Sequence, residues 1–243
     1  MYIKLIAKCI LLFLMILGIQ AWGGLHYVLT LMVIFITVIL IKIEGGSFQR
    51  YGFQISEKIR IYFLLSLFLA FFYTTVIIFL PGIMSNFEAY PSYYSIETLE
   101  GAFAILLEVV AFEIVFRGYI QTSLTEILDF PYATLITSIM FTICIVPTSV
   151  NASGLIFTLL IVLSAFAESI FLCILFKKTK TLICPILYSA SVIFLDAITP
   201  LKPISSEYAH ITSIVLYIFF ILMSKYHLNE ENDSEVYTND SVL

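Results

Sequence analysis

Leu107-Glu108-Val109-Val110-Ala111-Phe112-Glu113-Ile114-Val115-Phe116-Arg117-Gly118-Tyr119 places two carboxylates inside an apolar run and follows them with an arginine and a glycine. A charged side chain at the middle of a bilayer costs on the order of 3 kcal/mol on insertion scales, and more when it faces lipid. Glu108 and Glu113 are therefore expected to point into a protein interior. Residues four apart stack on one helix face, so Glu113 and Arg117 are placed to pair. The rest of the chain reads as packing around this helix.

The surrounding composition fixes the solvent. Of 243 residues, 61% are apolar and only 12% charged, and the mean hydropathy is +1.05. A soluble domain is about a quarter charged. No water-facing surface can be covered from this mixture, so the expected fold class is all-α, a polytopic membrane helical bundle. The net charge of -5 owes much to acids beyond Leu228. No basic patch marks a nucleic-acid footprint, so nucleic acid is excluded as a partner. Cys9, Cys144, Cys173 and Cys184 all lie in apolar runs without paired spacing and read as small apolar fillers. The run from Met1 to Gln20 lacks a small-x-small cleavage site and is followed at once by another apolar run, so it reads as an uncleaved first span.

Apolar runs of spanning length give eight segments, roughly 5–21, 25–43, 60–81, 98–116, 132–147, 154–176, 182–199 and 208–224. Gly23-Gly24 is expected to turn the first pair, Glu44 to Lys58 to form a polar loop, and Pro81-Gly82 to end the third span. Tyr90, Tyr93 and Tyr94 read as an interfacial aromatic belt. Gln121 to Phe130 is expected at the inner interface, and Pro147 to Asn151 as an outer turn. With the N-terminus inside, Lys4, Lys8, Lys42, Arg50, Lys58, Arg60, Arg117, Lys177, Lys178, Lys180 and Lys225 fall on one side and only Lys202 on the other. That bias sets an N-in, C-in orientation and checks the number of spans. The expected organisation is three helices over 1–94, a core of helices four to seven over 95–200, a last helix over 201–228, and an acidic disordered tail over 229–243.

Phe112-Glu113-Ile114-Val115-Phe116-Arg117-Gly118 resembles the first motif of the CPBP family, the CAAX proteases and bacteriocin-processing or Abi proteins, normally Glu-Glu-x-x-x-Arg. Two further stretches resemble the family in the expected order. Ile136 to Phe141 is similar to the start of its Phe-x-x-x-His motif. Phe176 to Leu187, with Thr181 and Pro185, is similar to the turn and helix start that carry its His-x-x-x-Asn motif. Carried over residue by residue, the resemblance puts the glutamate that activates the attacking water on Phe112. Glu113 and Arg117 match the retained glutamate and arginine. The two histidines fall on Ile145 and Ser189, and the asparagine on Ile193.

Amide hydrolysis in a bilayer needs water activated by a base or a metal, and a group to stabilise the oxyanion. Phenylalanine, isoleucine and serine supply neither. His26, His210 and His227 share no ligand-like spacing, so no metal or other cofactor is expected, and zinc enters only if an active protease survives. Glu113 and Arg117 then read as the retained, structural half of the motif, and Phe112, Phe141, Ile145, Ser189 and Ile193 as lining the cavity. Glu108, Glu168 and Asp196 also lie in apolar spans, where acids are by default functional. They form a candidate relocated acid or cation site, against the reading that they are protonated or hydrogen-bonded to neighbouring helices.

The resemblance thus implies a membrane protein, in the bacterial cytoplasmic membrane, that has lost peptidase chemistry. It would bind a membrane protein or peptide, as in bacteriocin self-immunity or regulation. The alternative is an active CAAX-type endopeptidase using Glu113 or Glu108. Membrane lipid is the surrounding partner, and a homo-oligomer is compatible with the pattern.

Overall fold

A computed structural model describes residues 2–21, 27–44, 47–54, 58–89, 99–149, 154–199, 201–203 and 206–239. It is a helical membrane bundle. The long helices are α1 (Tyr2–Ala21), α2 (Tyr27–Ile43), α3 (Ile59–Ser85), α4 (Leu99–Glu113), α6 (Phe130–Ser149), α7 (Leu155–Thr179), α8 (Ile183–Ile198) and α9 (Ser206–Asn239). A single turn, α5 (Thr122–Leu124), lies between α4 and α6. Three of these have the length and apolarity to cross a bilayer, over Ile59–Ser85, Leu155–Thr179 and Glu207–Ser224. Shorter apolar helices lie at Tyr27–Ile43, Phe130–Val146 and Ile183–Ile198. The all-α expectation holds, with one short ribbon added to the helices. Strand β1 (Phe87–Ala89) pairs antiparallel with β2 (Leu201–Pro203), Glu88 opposite Lys202. The ribbon ties the end of α3 to the end of α8.

The outer surface is apolar, and the interior mixes an apolar core with buried polar side chains. Exposed Phe35, Phe68, Phe71, Leu155 and Phe219 face outward. Thr37, Ser66, Glu113, Arg117, Gln121, Ser138 and Ser169 are buried. Small and hydroxyl-bearing residues at helix contacts are how helices associate where lipid tails are as apolar as leucine. Cys9, Cys144, Cys173 and Cys184 are free and buried, as fillers should be.

Several boundaries differ from the sequence expectation. Pro81 does not end the third span. Helix α3 runs on to Ser85, with Pro81 and Gly82 buried inside it. Proline removes one intrahelical bond, the one that would reach the carbonyl of Ile77, and the helix continues because Pro81 is buried in a packed face; Ser85 Oγ donates to the Pro81 carbonyl at 2.9 Å one turn on. A Cβ added at Gly82 would meet the Phe87 ring, which would have to turn aside to admit it. Helix α6 likewise continues through Pro147 to Ser149 before the outer turn. Helix α9 extends to Asn239, so the acidic tail to that point is helical, not structureless. A helix already nucleated by its membrane segment adds further residues without a new nucleation penalty. The expectations for Gly23-Gly24 and for Tyr90, Tyr93 and Tyr94 lie outside the described residues.

The main departure is within the organising stretch. Ile114–Gln121 is π-helical, continuing α4, and every residue in it is buried. Such segments are rare and concentrate at functional sites. Apolar periodicity alone does not reveal them, because the sequence of a π turn is as apolar as that of the α turns beside it.

Candidate functional site

The junction of α4 with its π-helical continuation carries the retained charges. Arg117 has no exposed surface and the Glu113 side chain is 2% exposed. Arg117 Nη1 donates to Glu113 Oε1 at 3.2 Å, so the pairing expected from their spacing is present. Arg117 Nη2 donates to Ser169 Oγ on α7 at 3.1 Å. Its guanidinium also lies over the Phe141 ring of α6, 4.2 Å from the centroid. Ser189 Oγ on α8 donates to Glu113 Oε1 at 3.5 Å, a long and weak bond. One arginine therefore ties α4 to α6 and α7, and its carboxylate partner reaches α8. Glu113 Oε2 and Arg117 Nε have no hydrogen-bond partner among the described residues.

The apolar half of the site is a phenylalanine cluster. Phe112 stacks on Phe116 with ring centroids 5.7 Å apart. Phe141 meets both edge-on, at 5.9 Å from Phe112 and 5.4 Å from Phe116. Edge-to-face geometry is the favoured aromatic arrangement. Ile145, half-buried one turn beyond Phe141, packs against the same core. Phe112 and Phe141 thus meet in one aromatic cluster, Ile145 packs against the same apolar core, and Ser189 reaches Glu113 from α8. Ile193 lies half-buried one turn along α8 from Ser189.

Glycines bring the backbone close below this level. A Cβ on Gly118 would stand 3.2 Å from Leu182 Cδ1 and 3.3 Å from the Tyr51 carbonyl oxygen. Tyr51 closes a 3₁₀ turn (Phe48–Tyr51) that Ser47 caps by accepting from the Gln49 amide. Gly52 follows in the left-handed conformation at φ 86°, and its carbonyl accepts the Leu182 amide at 3.0 Å. The arginine-glycine pair of the motif is thus where the π segment, the loop after α2 and the start of α8 come together.

A second polar knot, which the sequence did not flag, sits beside that loop. Glu44 Oε1 accepts from Lys8 Nζ at 2.7 Å and from the Tyr119 hydroxyl at 2.6 Å, while Oε2 accepts from the Tyr51 hydroxyl at 3.0 Å. The two tyrosine rings stack, 5.9 Å apart and 10° from parallel. Burial pushes the Glu44 carboxyl up, but these three donors outweigh it and hold it below the usual carboxylate range. Burial and the Glu44 charge both raise the Tyr51 phenol. The signal available from sequence was a lone acid closing an apolar span beside a lysine-bearing first helix. Its partners are up to 75 positions away.

The relocated-acid expectation is only partly met. Glu168, next to Ser169, lies within electrostatic reach of both Glu113 and Arg117. Asp196 and Glu168 both lie within reach of Tyr73, whose hydroxyl hydrogen-bonds Ser213 Oγ at 2.8 Å. Tyr73, Tyr188 and Tyr217 form a buried aromatic group that the sequence reading also missed. Glu108 is half-buried on α4. The three acids do not gather into a ligand set. Among the described residues no group of three or more histidines, cysteines, aspartates or glutamates could hold a metal ion. Around Glu113 a zinc ion would meet one carboxylate and hydroxyls, not the nitrogen and sulfur ligands it prefers.

A search of curated proteins finds no match to the chain. A family model, Type II CAAX prenyl endopeptidase Rce1-like, matches residues 95–194. That interval runs from just before α4 to the last turn of α8, and it contains the ion pair, the phenylalanine cluster and Ser189. Over residues 95–194 the chain is similar to the Rce1-like type II CAAX prenyl endopeptidases, and its apolar helices make it an integral membrane protein.

Proposed function

We propose that this protein is a catalytically degenerate member of its family that binds a membrane protein or peptide instead of cutting it. One observation carries the reading. The retained carboxylate, Glu113, is spent on a fully buried arginine, and the position before it is a phenylalanine locked among Phe116 and Phe141. A carboxylate already paired to a guanidinium makes a poor base for water. Ile145 and Ser189 offer no imidazole to hold or pass a proton. No cofactor takes part, and the Glu113–Arg117 pair serves to join helices.

An apolar groove of about 560 Å³ between α3, α4 and α8 suits the partner. Leu67, Phe71, Ile105, Leu106, Phe194 and Leu195 line it, and a single hydrophobic helix from a partner, or from a second copy of the chain, matches that surface. The setting is the bacterial cytoplasmic membrane, and the role is bacteriocin self-immunity or control of a membrane partner.

The test is direct. The full chain, reconstituted in liposomes, is incubated with a prenylated CAAX peptide and with leader-type membrane peptides, and products are sought by mass spectrometry. Peptide retained without a cleavage product is expected. Cleavage that disappears in Glu113→Gln would overturn the reading.

A second reading keeps catalysis, with Glu113 or Glu108 as base. Its support is Glu113 Oε2, which accepts no hydrogen bond among the described residues and so could orient a water. Zinc would belong only to this second reading.

A further inference from the structure

We infer that the basic end of the bundle carries a built site for one anionic phospholipid, distinct from the groove beside the family core. Two cavities meet there. The larger, about 700 Å³, runs between α3, α7 and α9, with Leu65, Phe68, Phe72, Phe219 and Met223 among its walls. The smaller, about 340 Å³, is polar and lined by Gln49, Arg50, Gln54, Phe176, Lys177 and Lys180. Lys177 and Lys180 line both. An apolar slot therefore opens onto a cationic one through two shared lysines.

The geometry fixes where the cations stand. Lys180 caps α7 in the left-handed conformation at φ 52°. Its carbonyl accepts the Gln54 side-chain amide at 2.7 Å, which anchors the loop that brings Arg50 alongside. Lys177 lines both cavities, and its Nζ rests over the Phe130 ring, 3.9 Å from the centroid, a contact that fixes where this cation stands. Arg50 is paired to Glu126, yet neither lining includes an acidic residue. Basic pockets between membrane helices suit anionic head groups. An acyl chain fills the phenylalanine-walled slot, and the phosphate lies between Lys177 and Lys180.

The chemistry commits to a lipid over a free phosphate, because most of the combined surface is apolar and only its mouth is charged. The full chain, purified and delipidated, is titrated with phosphatidylglycerol and with phosphatidylcholine, and bound lipid is counted by native mass spectrometry. Each lysine near an anionic head group is worth about fivefold in affinity. Phosphatidylglycerol should therefore be retained over phosphatidylcholine by at least about tenfold. In Lys177→Gln/Lys180→Gln the two lipids should be retained nearly equally. Met223→Trp, which fills the slot, should lose the retained phosphatidylglycerol while helical content by circular dichroism stays unchanged. If either variant misfolds, the wild-type preference read against salt still decides, since it must shrink as salt screens the head group. Equal retention by the wild type, a preference indifferent to salt, or displacement of the lipid by millimolar inorganic phosphate would overturn the site.

Discussion

Removing one member of the Glu113–Arg117 pair tests whether it holds the bundle together. Arg117→Met keeps the length of the side chain but deletes its charge, leaving Glu113 buried without a counter-ion. Breaking a buried pair by removing one partner costs about 3–5 kcal/mol. The same change loses the bond to Ser169, worth about 1 kcal/mol, and the cation–π contact with Phe141, worth about 0.5–2 kcal/mol. Together these put the single variant about 4–8 kcal/mol below wild type, a loss comparable with a whole domain's stability. Glu113→Gln should be nearly as harmful, because it strands the guanidinium. The double variant Glu113→Gln/Arg117→Met is the decisive one. Replacing a buried ion pair with apolar or neutral groups of similar volume is often neutral or better, so it should recover most of the stability lost in either single. Thermal unfolding of the purified protein in a fixed detergent, followed by far-ultraviolet circular dichroism, reads all four proteins on one scale. Singles that unfold at the wild-type temperature, or a double variant as damaged as the two singles added, would refute the structural role. A double variant that folds and still retains its peptide partner would separate the pair's architectural function from any chemistry.

Two further outcomes follow from the loop contacts. Gly118→Val forces branched carbon against Leu182 and the Tyr51 carbonyl, already 3.2 and 3.3 Å from a bare Cβ, and should cost about 1–3 kcal/mol by overpacking, seen as a lowered unfolding temperature. Glu44 is held below its ordinary carboxylate value by Lys8, Tyr119 and Tyr51, so its contribution is present above the unfolded pKa and is lost as pH falls through the lower folded value. Unfolding scans from neutral pH to about pH 3 should show that acid-side loss in wild type and a shallower one in Glu44→Gln; identical slopes would dispose of the latch.

The long helices were legible because each is a continuous apolar run. The Glu113–Arg117 contact was legible too, since four-residue spacing survives the passage from α to π geometry closely enough for a long guanidinium to reach back. What spacing could not show was the second dimension of the site. Ser169 is 52 positions from Arg117, and Glu44 is 75 from Tyr119. Nothing local marks either pair. Pro81 misled for a physical reason: a proline rule drawn from water-exposed helices is weaker where the helix continues through a buried packing face in a membrane bundle. Glu108, Glu168 and Asp196 lie on three different helices, α4, α7 and α8, so their sequence positions alone could not say which side chains they meet.

The charge count at the motif explains why a phenylalanine suits Phe112. Two adjacent glutamates beside one arginine would leave a net negative charge in a low-dielectric interior, and that imbalance is relieved only by a proton, a water or a substrate. With Phe112 the Glu113–Arg117 pair is one carboxylate and one guanidinium, with Glu168 on α7 as a further acid within electrostatic reach. The vacated volume is then filled by aromatic surface, with Phe112 stacking on Phe116 and Phe141 closing over the arginine. An interior packed this way has little need to admit water, and hydrolysis cannot begin without it. Restoring a glutamate at Phe112 would break that packing and pull Phe141 off the guanidinium. It would need imidazoles at Ile145 and Ser189 as well before the water it attracted could be used. Under the proposed binding role, Phe112, Ile145 and Ser189 act as a set around a helix junction held by the Glu113–Arg117 pair and packed by the rings of Phe112, Phe116 and Phe141.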